Sequence, residues 1–427
     1  MIFVREFSVS IKRLRWVVDR SNAAQQKECS SGPLAPHLDG FAARLVAAGY
    51  AQTTVSNKRA LVTNLSRWLE RRKVALVDVN EERLEQFHAN RHRRLGVQVR
   101  RFDVATSRQV LGYLRDRGCV RRLPQKIDRT ALGTLTLDFE RFLSSERGLS
   151  PSTLINYLPT VRRFLTQRFK GQALRLQHLR PHDLHRFLLG EARRLSRSRA
   201  KLTVTVLRSF LRFLLQRGAI RTDLAIGLPG VADWRLWQLP KSLPPKQVEQ
   251  LLDSCDRNTH SGRRDYAILL LMARLGLRGG EVLTLTLEDL DWEHSEIVVH
   301  GKSRRLERLP LPKDVGKALA NYLRHTRPVC STRVVFIRLK APLRGLGKTA
   351  ICCIVHRALK RAGLNPDFKG AHLLRHSLAT QMLRKGATLR EIGQLLRHAQ
   401  PTTTQIYAKV DIEALRGIGL PWMGDAS

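Results

Sequence analysis

Acidic residues are scarce in this sequence of 427 residues, in which 36 Asp and Glu stand against 76 Lys and Arg. The formal net charge is therefore +40 at pH 7. No acidic cluster that could hold magnesium is present, which argues against a metal-dependent nuclease. The positive charge is spread along the chain and predicts a polyanionic partner, with nucleic acid favoured over an anionic membrane surface.

Paired cysteine motifs and long apolar runs are also lacking. The six cysteines form no C-x-x-C pair, disulfide framework or zinc knuckle, which is typical of thiols in a reducing compartment. No stretch has the roughly 18 apolar residues of a membrane span, and the N-terminus, MIFVREFSVSIKRLRWVV, is too charged for a signal peptide. We therefore expect a folded, cytoplasmic, nucleoid-associated protein with no membrane partner.

The chain contains an internal repeat, in which residues 36–122 match residues 135–222 at an offset of 99 to 100. AGYAQTTVSNKRALVTNL aligns with RGLSPSTLINYLPTVRRF, and LGYLRDRGCV aligns with LRFLLQRGAI. Apolar residues recur at spacings of three and four, so each copy is predicted to form four or five short helices. A chance match between Leu/Arg-rich helices is the alternative to a duplication.

Both copies carry polar and basic side chains on helix faces that are predicted to be exposed. Two such modules suggest a surface laid along a DNA duplex, although a solvated basic face gives the same pattern. The predicted DNA-binding residues are Lys58, Arg59, Thr153, Asn156, Arg162 and Arg163.

The pattern changes after a proline-rich stretch, LPGVADWRLWQLPKSLPP at residues 228–245, which predicts an interdomain linker. Beyond it, the β-like runs EIVVH and LERLPLP flank the turn GKSRR and together predict a hairpin. Helical patterns surround this hairpin on both sides. The second half is therefore predicted to be a mixed α/β domain that is mostly helical.

Within this half, the stretch AHLLRHSLAT places His372, Arg375 and His376 on one face of a predicted helix, because their spacing is i, i+3 and i+4. A zinc site is disfavoured, since no carboxylate accompanies the histidines and the guanidinium would repel a cation. The planar fork of an arginine suits a phosphate instead. A solvated basic helix face is the alternative.

Further groups suited to phosphate chemistry occur nearby. GLRGGE contains Arg278, GKSRR contains Lys302, and RHAQPTTTQIY contains His398 and Tyr407. Phosphodiester transfer needs charge stabilisation at the non-bridging oxygens, an activated nucleophile and a proton for the leaving oxygen. Arg278 and Arg375 could clamp the oxygens, and Tyr407 could store the bond as a phosphotyrosine. These groups together suit phosphodiester transfer that needs neither a metal nor ATP.

The motifs GLRGGE, GKSRR, HLLRH and RHAQPTTTQIY, in this order, resemble those of the tyrosine recombinase (phage integrase-type) family. The resemblance covers about residues 240–412, and the second helical copy resembles that family's core-binding domain. It implies a site-specific recombinase that cleaves and rejoins double-stranded DNA through a 3′-phosphotyrosyl intermediate, without a cofactor. It also implies a homo- or hetero-tetramer on DNA, and a mobile-element enzyme is the favoured setting.

The resemblance also implies a role for each group. Lys302 would protonate the leaving 5′-oxygen, His372 would assist proton movement at Tyr407, and His398 would bind the phosphate. Glu281 and His376 would orient the catalytic residues without acting on the DNA themselves. The implied catalytic residues are Arg278, Lys302, His372, Arg375, His398 and Tyr407.

Two features depart from the family pattern. Arg397 stands before His398 where the family usually has glycine, so that it could add a DNA contact or shift the loop. An additional helical module precedes the expected one, and we expect it to extend the DNA footprint.

The predicted fold is mainly α with a small β-hairpin or sheet, in which tandem helical core-binding (SAM-like) modules precede a mixed α/β tyrosine recombinase catalytic domain. The predicted segments are an N-terminal extension (1–33), a first DNA-binding module (34–124), a core-binding domain (130–228), a linker (229–243), a catalytic domain (244–412) and a C-terminal tail (413–427). The sequence leaves two alternative functions open. They are a catalytically silent DNA-binding accessory protein and a relaxing enzyme of the type IB topoisomerase kind.

Overall fold

The structure is a computed structural model, and it describes residues 32–95, 100–121, 128–230, 241–301, 306–398 and 400–410. The chain divides into two compact units. One unit comprises Arg122–Trp237, and the other comprises Met1–Arg121 together with Gln238–Ser427. The predicted tail and nearly all of the predicted N-terminal extension lie outside the described residues.

The first helical module belongs to the larger unit. Its helices are α1 (Leu38–Ala47), α2 (Gln52–Arg71), α3 (Glu81–Leu95) and α4 (Arg101–Asp116). Each helix has one apolar face, and these faces enclose a core in which Phe41, Leu65, Leu69 and Leu114 are at most 1% exposed. The module therefore has a hydrophobic core of its own.

The second helical module forms the smaller unit. Its helices are α5 (Ala131–Arg141), α6 (Pro151–Phe169), α7 (Pro181–Ala192) and α8 (Arg197–Gln216). Phe139, Phe164, Phe210 and Leu214 are buried in its core. The order of elements is that of the first module, and the number of helices in both modules confirms the prediction from apolar spacing.

The second half of the chain is built around one buried helix. Its helices are α9 (Pro245–Asp253), α10 (His260–Arg274), α11 (Gly279–Thr284), α12 (Lys313–His325), α13 (Ala350–Arg361), α14 (Leu373–Arg384) and α15 (Leu389–Leu395). Residues 268–272 of α10 are at most 1% exposed, as expected for a helix that is enclosed on all sides. Even so, no helix in the described part of the chain is long and apolar enough to cross a membrane.

A three-stranded antiparallel sheet lies in the same half, with the strand order β1 (Leu290–Asp291), β2 (Glu296–His300) and β3 (Leu306–Pro310). Ile297 pairs with Leu309, and Ile297 and Val299 are buried while their neighbours are more exposed. This alternation is that of a strand with one face on the core. The predicted hairpin is confirmed, and its tip at 302–305 lies outside the described residues.

A second, smaller apolar cluster joins the last helices. Ala379 of α14, Ile392 of α15, Leu396 and Tyr407 are buried against one another. Tyr407 lies on a 3₁₀-helical segment, Gln405–Val410, which follows α15. This cluster brings the HLLRH and RHAQPTTTQIY motifs together.

Candidate active site

The G-L-R step places Arg278 at the end of a tight turn between α10 and α11. Gly276 has a φ of 59°, in the left-handed region that favours glycine. A Cβ atom on Gly276 would lie 2.7 Å from Cδ2 of Leu396, so this turn packs directly against the end of α15. The close approach brings the GLRGGE motif next to the segment that leads to His398.

Glu281 holds Arg278 in place. Its Oε2 accepts a hydrogen bond from the backbone nitrogen of Arg278 at 2.8 Å, and its Oε1 accepts one from Nη1 at 2.7 Å. Burial by itself raises the pKa of Glu281, but the bond from the Arg278 nitrogen and the charge of Arg397 outweigh it, so the pKa lies below its ordinary value. The Arg278 side chain remains 34% exposed, which leaves part of the guanidinium accessible to an anion.

Arg375 lies on α14 and is oriented by two backbone carbonyls. Its guanidinium donates hydrogen bonds to the carbonyl oxygens of Gly276 and Leu396. Burial, followed by the charges of Arg278 and Arg397, lowers the pKa of Arg375 to about 9, which leaves it protonated at neutral pH. The cluster thus holds concentrated positive charge, which a phosphate would neutralise.

His376 is the histidine that contacts Tyr407. Its Nδ1 lies 2.8 Å from the Tyr407 hydroxyl oxygen. His372 is the N-cap residue of α14, and its ring centre is 6.3 Å from that of His376. The family roles predicted the Tyr407 contact for His372 and a supporting position for His376, whereas the structure places His376 on the hydroxyl.

The His376 imidazole is neutral in this environment. Burial, followed by the charges of His372 and Arg375, lowers the pKa of His376 to about 4. Burial and the charges of Arg375 and Arg278 also lower the pKa of His372. A neutral imidazole in hydrogen-bond contact with a phenol can accept its proton.

Tyr407 itself is enclosed. Its side chain packs among Ala379, Ile392 and Leu396, and the residue is 1% exposed. Burial raises the pKa of Tyr407 to about 12, and the charge of Arg375 opposes this rise only in part. The phenol is therefore protonated and shielded in this conformation.

His398 is oriented by a threonine that the sequence analysis did not single out. Its Nδ1 lies 2.7 Å from Oγ1 of Thr404, which is 3% exposed. Burial, followed by the charges of Arg375 and Arg278, lowers the pKa of His398 to about 4. The run TTT at 402–404 was visible in the sequence, but nothing local indicated which of its hydroxyls faces His398.

The structure brings Arg278, Glu281, Arg375 and the three histidines into one region with Tyr407. The predicted Lys302 lies outside the described residues, so its position stays a prediction. In the described part of the chain, no group of three or more His, Cys, Asp or Glu side chains is arranged to hold a metal ion.

Comparison with known proteins decides the family. The model of the phage integrase family matches residues 241–413, and the model of the phage integrase N-terminal SAM-like domain matches residues 137–218. A Sinorhizobium fredii protein with the provisional name integrase/recombinase y4rA is 43% identical over 399 residues, covering 92% of this chain and 96% of that protein. This chain belongs to the phage integrase family of tyrosine recombinases.

Other recombinases match a smaller part of this integrase. The tyrosine recombinase XerC of Lactobacillus delbrueckii subsp. bulgaricus is 32% identical over 295 residues, covering 66% of this chain and 96% of that protein. The crystal structure of the XerH site-specific recombinase, bound to a palindromic difH substrate, covers 66% of this chain and 83% of that chain, with 22% identity and a TM-score of 0.55. At this identity, the XerH match supports the fold. Because the y4rA match covers 92% of the chain, it must include much of the first module.

Arg397, which stands where the family usually has glycine, turns inward. Its φ is 55°, and its side chain is 2% exposed. Nη2 of Arg397 donates to Oε2 of Glu281 at 2.9 Å. The expectation that this cation could contact DNA is therefore wrong for this conformation, because the guanidinium is already paired and enclosed.

The prediction that Lys58 lies on an exposed DNA-binding face is also wrong. Lys58 is 3% exposed, and its ammonium donates to Oγ1 of Thr106 at 3.0 Å and to Oε1 of Gln109 at 2.8 Å. Burial lowers the pKa of Lys58. A sequence pattern places a lysine on a helix face, but it does not reveal that another helix covers that face.

The other predicted DNA-binding residues remain at or near the surface. Thr153 is half-buried, and Asn156 is exposed with Nδ2 donating to a backbone carbonyl. The three arginines of this set are exposed and each pairs with a carboxylate; the pairs are Arg59 with Asp39, Arg162 with Asp128 and Arg163 with Glu191. Their contact with DNA stays a prediction.

Proposed function

We propose that this integrase is a site-specific recombinase that cleaves and rejoins DNA strands through a 3′-phosphotyrosyl bond to Tyr407, without a metal or ATP. The observation that carries the proposal is the 2.8 Å contact between the Tyr407 hydroxyl and His376, one residue after the buried Arg375. A nucleophile, a neutral base and a phosphate-binding guanidinium thus share one helix and its neighbour.

In this proposal, Arg278 and Arg375 bind the non-bridging oxygens of the scissile phosphate. Donors that are already oriented by the protein stabilise the charge that develops there without further reorganisation. Glu281 orients Arg278, and the carbonyls of Gly276 and Leu396 orient Arg375.

The chemical step exchanges one phosphodiester bond for another. The Tyr407 oxygen attacks phosphorus, the bond from phosphorus to the 5′-oxygen breaks, and the 3′-phosphate stays on the tyrosine. His376 accepts the phenolic proton as the new bond forms, and Lys302, by family resemblance, gives a proton to the leaving 5′-oxygen. A 5′-hydroxyl from another strand reverses these steps and rejoins the DNA.

The enclosed Tyr407 implies that the free protein is inactive. A phenol with a pKa of about 12 beside an imidazole with a pKa of about 4 keeps its proton. We propose that DNA binding moves the Gln405–Val410 segment so that the hydroxyl reaches the phosphate.

Double-stranded DNA is the proposed partner, in a tetramer with like or related recombinases. The net charge of +40 supports an extended contact with phosphates. Similar structures add support, since they show XerH bound to difH DNA and the Tn1549 transposon integrase bound to a circular intermediate DNA. We place the reaction at the nucleoid and favour a mobile element as its setting.

The test is a covalent-capture assay in the absence of divalent metal. The protein is incubated with nicked duplexes that cover the DNA flanking its own gene, and the products are separated on denaturing gels. We expect a slow protein–DNA band with the wild type, and with Tyr407→Phe we expect binding on native gels but no covalent band. Binding without a covalent band on any duplex would instead indicate an accessory protein. Cleavage and resealing without sequence preference would indicate a topoisomerase-like enzyme.

A further inference from the structure

Arg397 occupies a backbone conformation that disfavours a side chain. Its φ of 55° lies in the left-handed region, where a Cβ atom crowds the neighbouring carbonyl. The family pattern has glycine at this position. The end of α15 holds this backbone, because the Arg397 nitrogen donates to the carbonyl of Gln394 at 3.0 Å and the His398 nitrogen donates to that of Gly393 at 3.0 Å. From this turn the Arg397 side chain points inward and is 2% exposed.

The side chain and the carbonyl of Arg397 join its own segment to the start of α11. Nη2 of Arg397 donates to Oε2 of Glu281 at 2.9 Å, and Nη1 donates to the carbonyl of Leu395 at 3.0 Å. The backbone carbonyl of Arg397 in turn accepts a hydrogen bond from Nη2 of Arg278 at 3.3 Å. Arg397 therefore contacts Arg278 directly, and it also shares with Arg278 the carboxylate that orients it.

The remaining donor of Arg397 faces the hairpin. Its Nε lies 3.8 Å from Oε2 of Glu307, which belongs to strand β3. This Nε is buried and donates no hydrogen bond to any described residue. This separation is about 0.6 Å longer than a hydrogen bond, so a small inward movement of β3 would let Nε donate to Glu307.

We propose that Arg397 is a positioning residue for strand transfer, which ties Arg278 and Glu281 to Glu307 of strand β3. This inference rests on the proposed function, because it assigns a role within the same site. Strand β3 is then held next to Arg278, which binds the phosphate in the proposed function. Arg397 acts through these groups and does not itself touch DNA.

The position of the side chain distinguishes this role from a DNA contact. The Arg397 side chain is 2% exposed, and that of Glu281 is 6% exposed, so the pair is closed to a duplex. The Glu307 side chain is 37% exposed, so β3 is accessible to solvent. The Glu307 carboxylate nevertheless faces Arg397. A DNA contact would require Arg397 to leave both carboxylates.

The test compares Arg397→Met with a control variant on the hairpin that Arg397 faces. Arg308→Met removes an arginine of β3 whose side chain is 68% exposed and pairs with Glu296 at 3.1 Å. Displacing reacting groups by about 1 Å can cost about 10²-fold in rate, so we expect a single-turnover cleavage rate about 10²-fold lower in Arg397→Met. We expect a nearly unchanged rate in Arg308→Met.

The salt dependence of DNA binding separates positioning from contact. The slope of log K against log salt is negative, and removal of a phosphate-binding side chain reduces its magnitude by about 1. We expect the slope of Arg397→Met to equal that of the wild type while the cleavage rate falls. A slope whose magnitude is smaller by about 1 would overturn the proposal in favour of a direct DNA contact.

A second variant guards against misfolding. Arg397→Gly restores the residue usual in the family and relieves the left-handed backbone, so it should fold. We expect it to cleave as slowly as Arg397→Met, and we expect guanidinium ion to restore part of the rate by occupying the space that the side chain leaves. Wild-type cleavage by Arg397→Gly would overturn the proposal.

Hydrogen exchange gives a readout that does not depend on cleavage. If Arg397 ties β3 to the cluster, the amides of residues 306–309 should exchange faster in Arg397→Gly and in Glu307→Gln than in the wild type. Unchanged exchange in both variants would refute the tie. If the wild type itself forms no covalent product, the proposed function fails and the role of Arg397 in strand transfer fails with it. The exchange rates then show separately whether Arg397 ties β3 to the cluster.

Discussion

The two helical modules share one order of helices but differ in what they bury. Several buried polar residues of the first module correspond to apolar or aromatic residues of the second. The pairs, at the repeat offset, are Lys58 with Tyr157, His88 with Leu188, Thr106 with Val206 and Ser107 with Leu207. One arrangement of helices therefore accommodates two kinds of core.

The polar core is tolerated because Lys58 finds partners. Besides its two hydrogen bonds, the ammonium lies 5.0 Å from the ring centre of Tyr50 and 4.7 Å from that of Phe102. Buried charge is costly unless it is compensated, and hydrogen bonds together with cation–π contacts provide that compensation. His88 is less well served, since neither of its ring nitrogens has a hydrogen-bond partner among the described residues.

The modules also differ at their matching glycines. Gly49 and Gly148 both have a positive φ, 80° and 59°. A Cβ on Gly49 would lie 2.4 Å from Cδ1 of Leu343, whose backbone nitrogen donates to the carbonyl of Ala48 at 2.9 Å. A Cβ on Gly148 would meet no described atom within 4 Å. The turn of the first module thus serves as a packing surface for the catalytic half, within the larger unit.

Removal of the first module is the strongest test of whether the two modules divide the work. Deleting residues 1–121 should shorten the DNase footprint, because we propose that this module extends the contact with DNA. The magnitude of the slope of log K against log salt should fall by about 0.9 for each phosphate that the module neutralises. Formation of the covalent Tyr407 adduct should persist. An unchanged footprint would contradict a DNA-binding role for this module.

Lys58→Ala tests whether the polar core stabilises the first module. Hydrogen bonds from charged groups contribute about 1.5–3 kcal/mol, so we expect a loss of about that size in the opening free energy of α2 and α4, measured by native-state hydrogen exchange. Arg59→Ala, at the next position, removes an exposed ion pair with Asp39 and should cost at most about 1 kcal/mol. Equal losses in the two variants would show that the buried network stabilises the module no more than an exposed ion pair does.

The smallest expected effect is a pH dependence that belongs to the first module. Burial lowers the pKa of His88 below its ordinary value of 6.5, an effect that Asp103 opposes and Arg91 reinforces. The unfolded chain therefore takes up a proton more readily than the folded one, so stability is full above 6.5 and is lost as the pH falls below it. Hydrogen exchange of α2 to α4 should show this loss.

His88→Leu introduces the residue of the second module and should remove this pH dependence of stability. Since Leu188 stands at the equivalent position, the substitution suits the helix arrangement. A loss of stability at low pH that persists in His88→Leu would assign the pH dependence to another group of the first module.

The sequence by itself determined the helices, the hairpin and the order of the motifs. Apolar spacing predicted the helices of both modules, because amphipathicity follows from the local period of a helix. Alternation around GKSRR predicted β2 and β3 for the same reason. The pairing of Arg278 with Glu281 also follows from local spacing, since Arg278 is the N-cap of α11 and Glu281 is its third residue, the spacing of a capping box.

Tertiary structure alone decided which side chains meet. Spacing placed His372 and His376 on one face, but the contact of His376 with Tyr407 joins residues 31 apart in the chain. The Arg397–Glu281 contact joins residues 116 apart, and the burial of Lys58 depends on partners about 50 residues away. A local pattern indicates the face on which a side chain lies. What covers that face depends on how distant segments pack, because burial and pairing are properties of the whole folded chain.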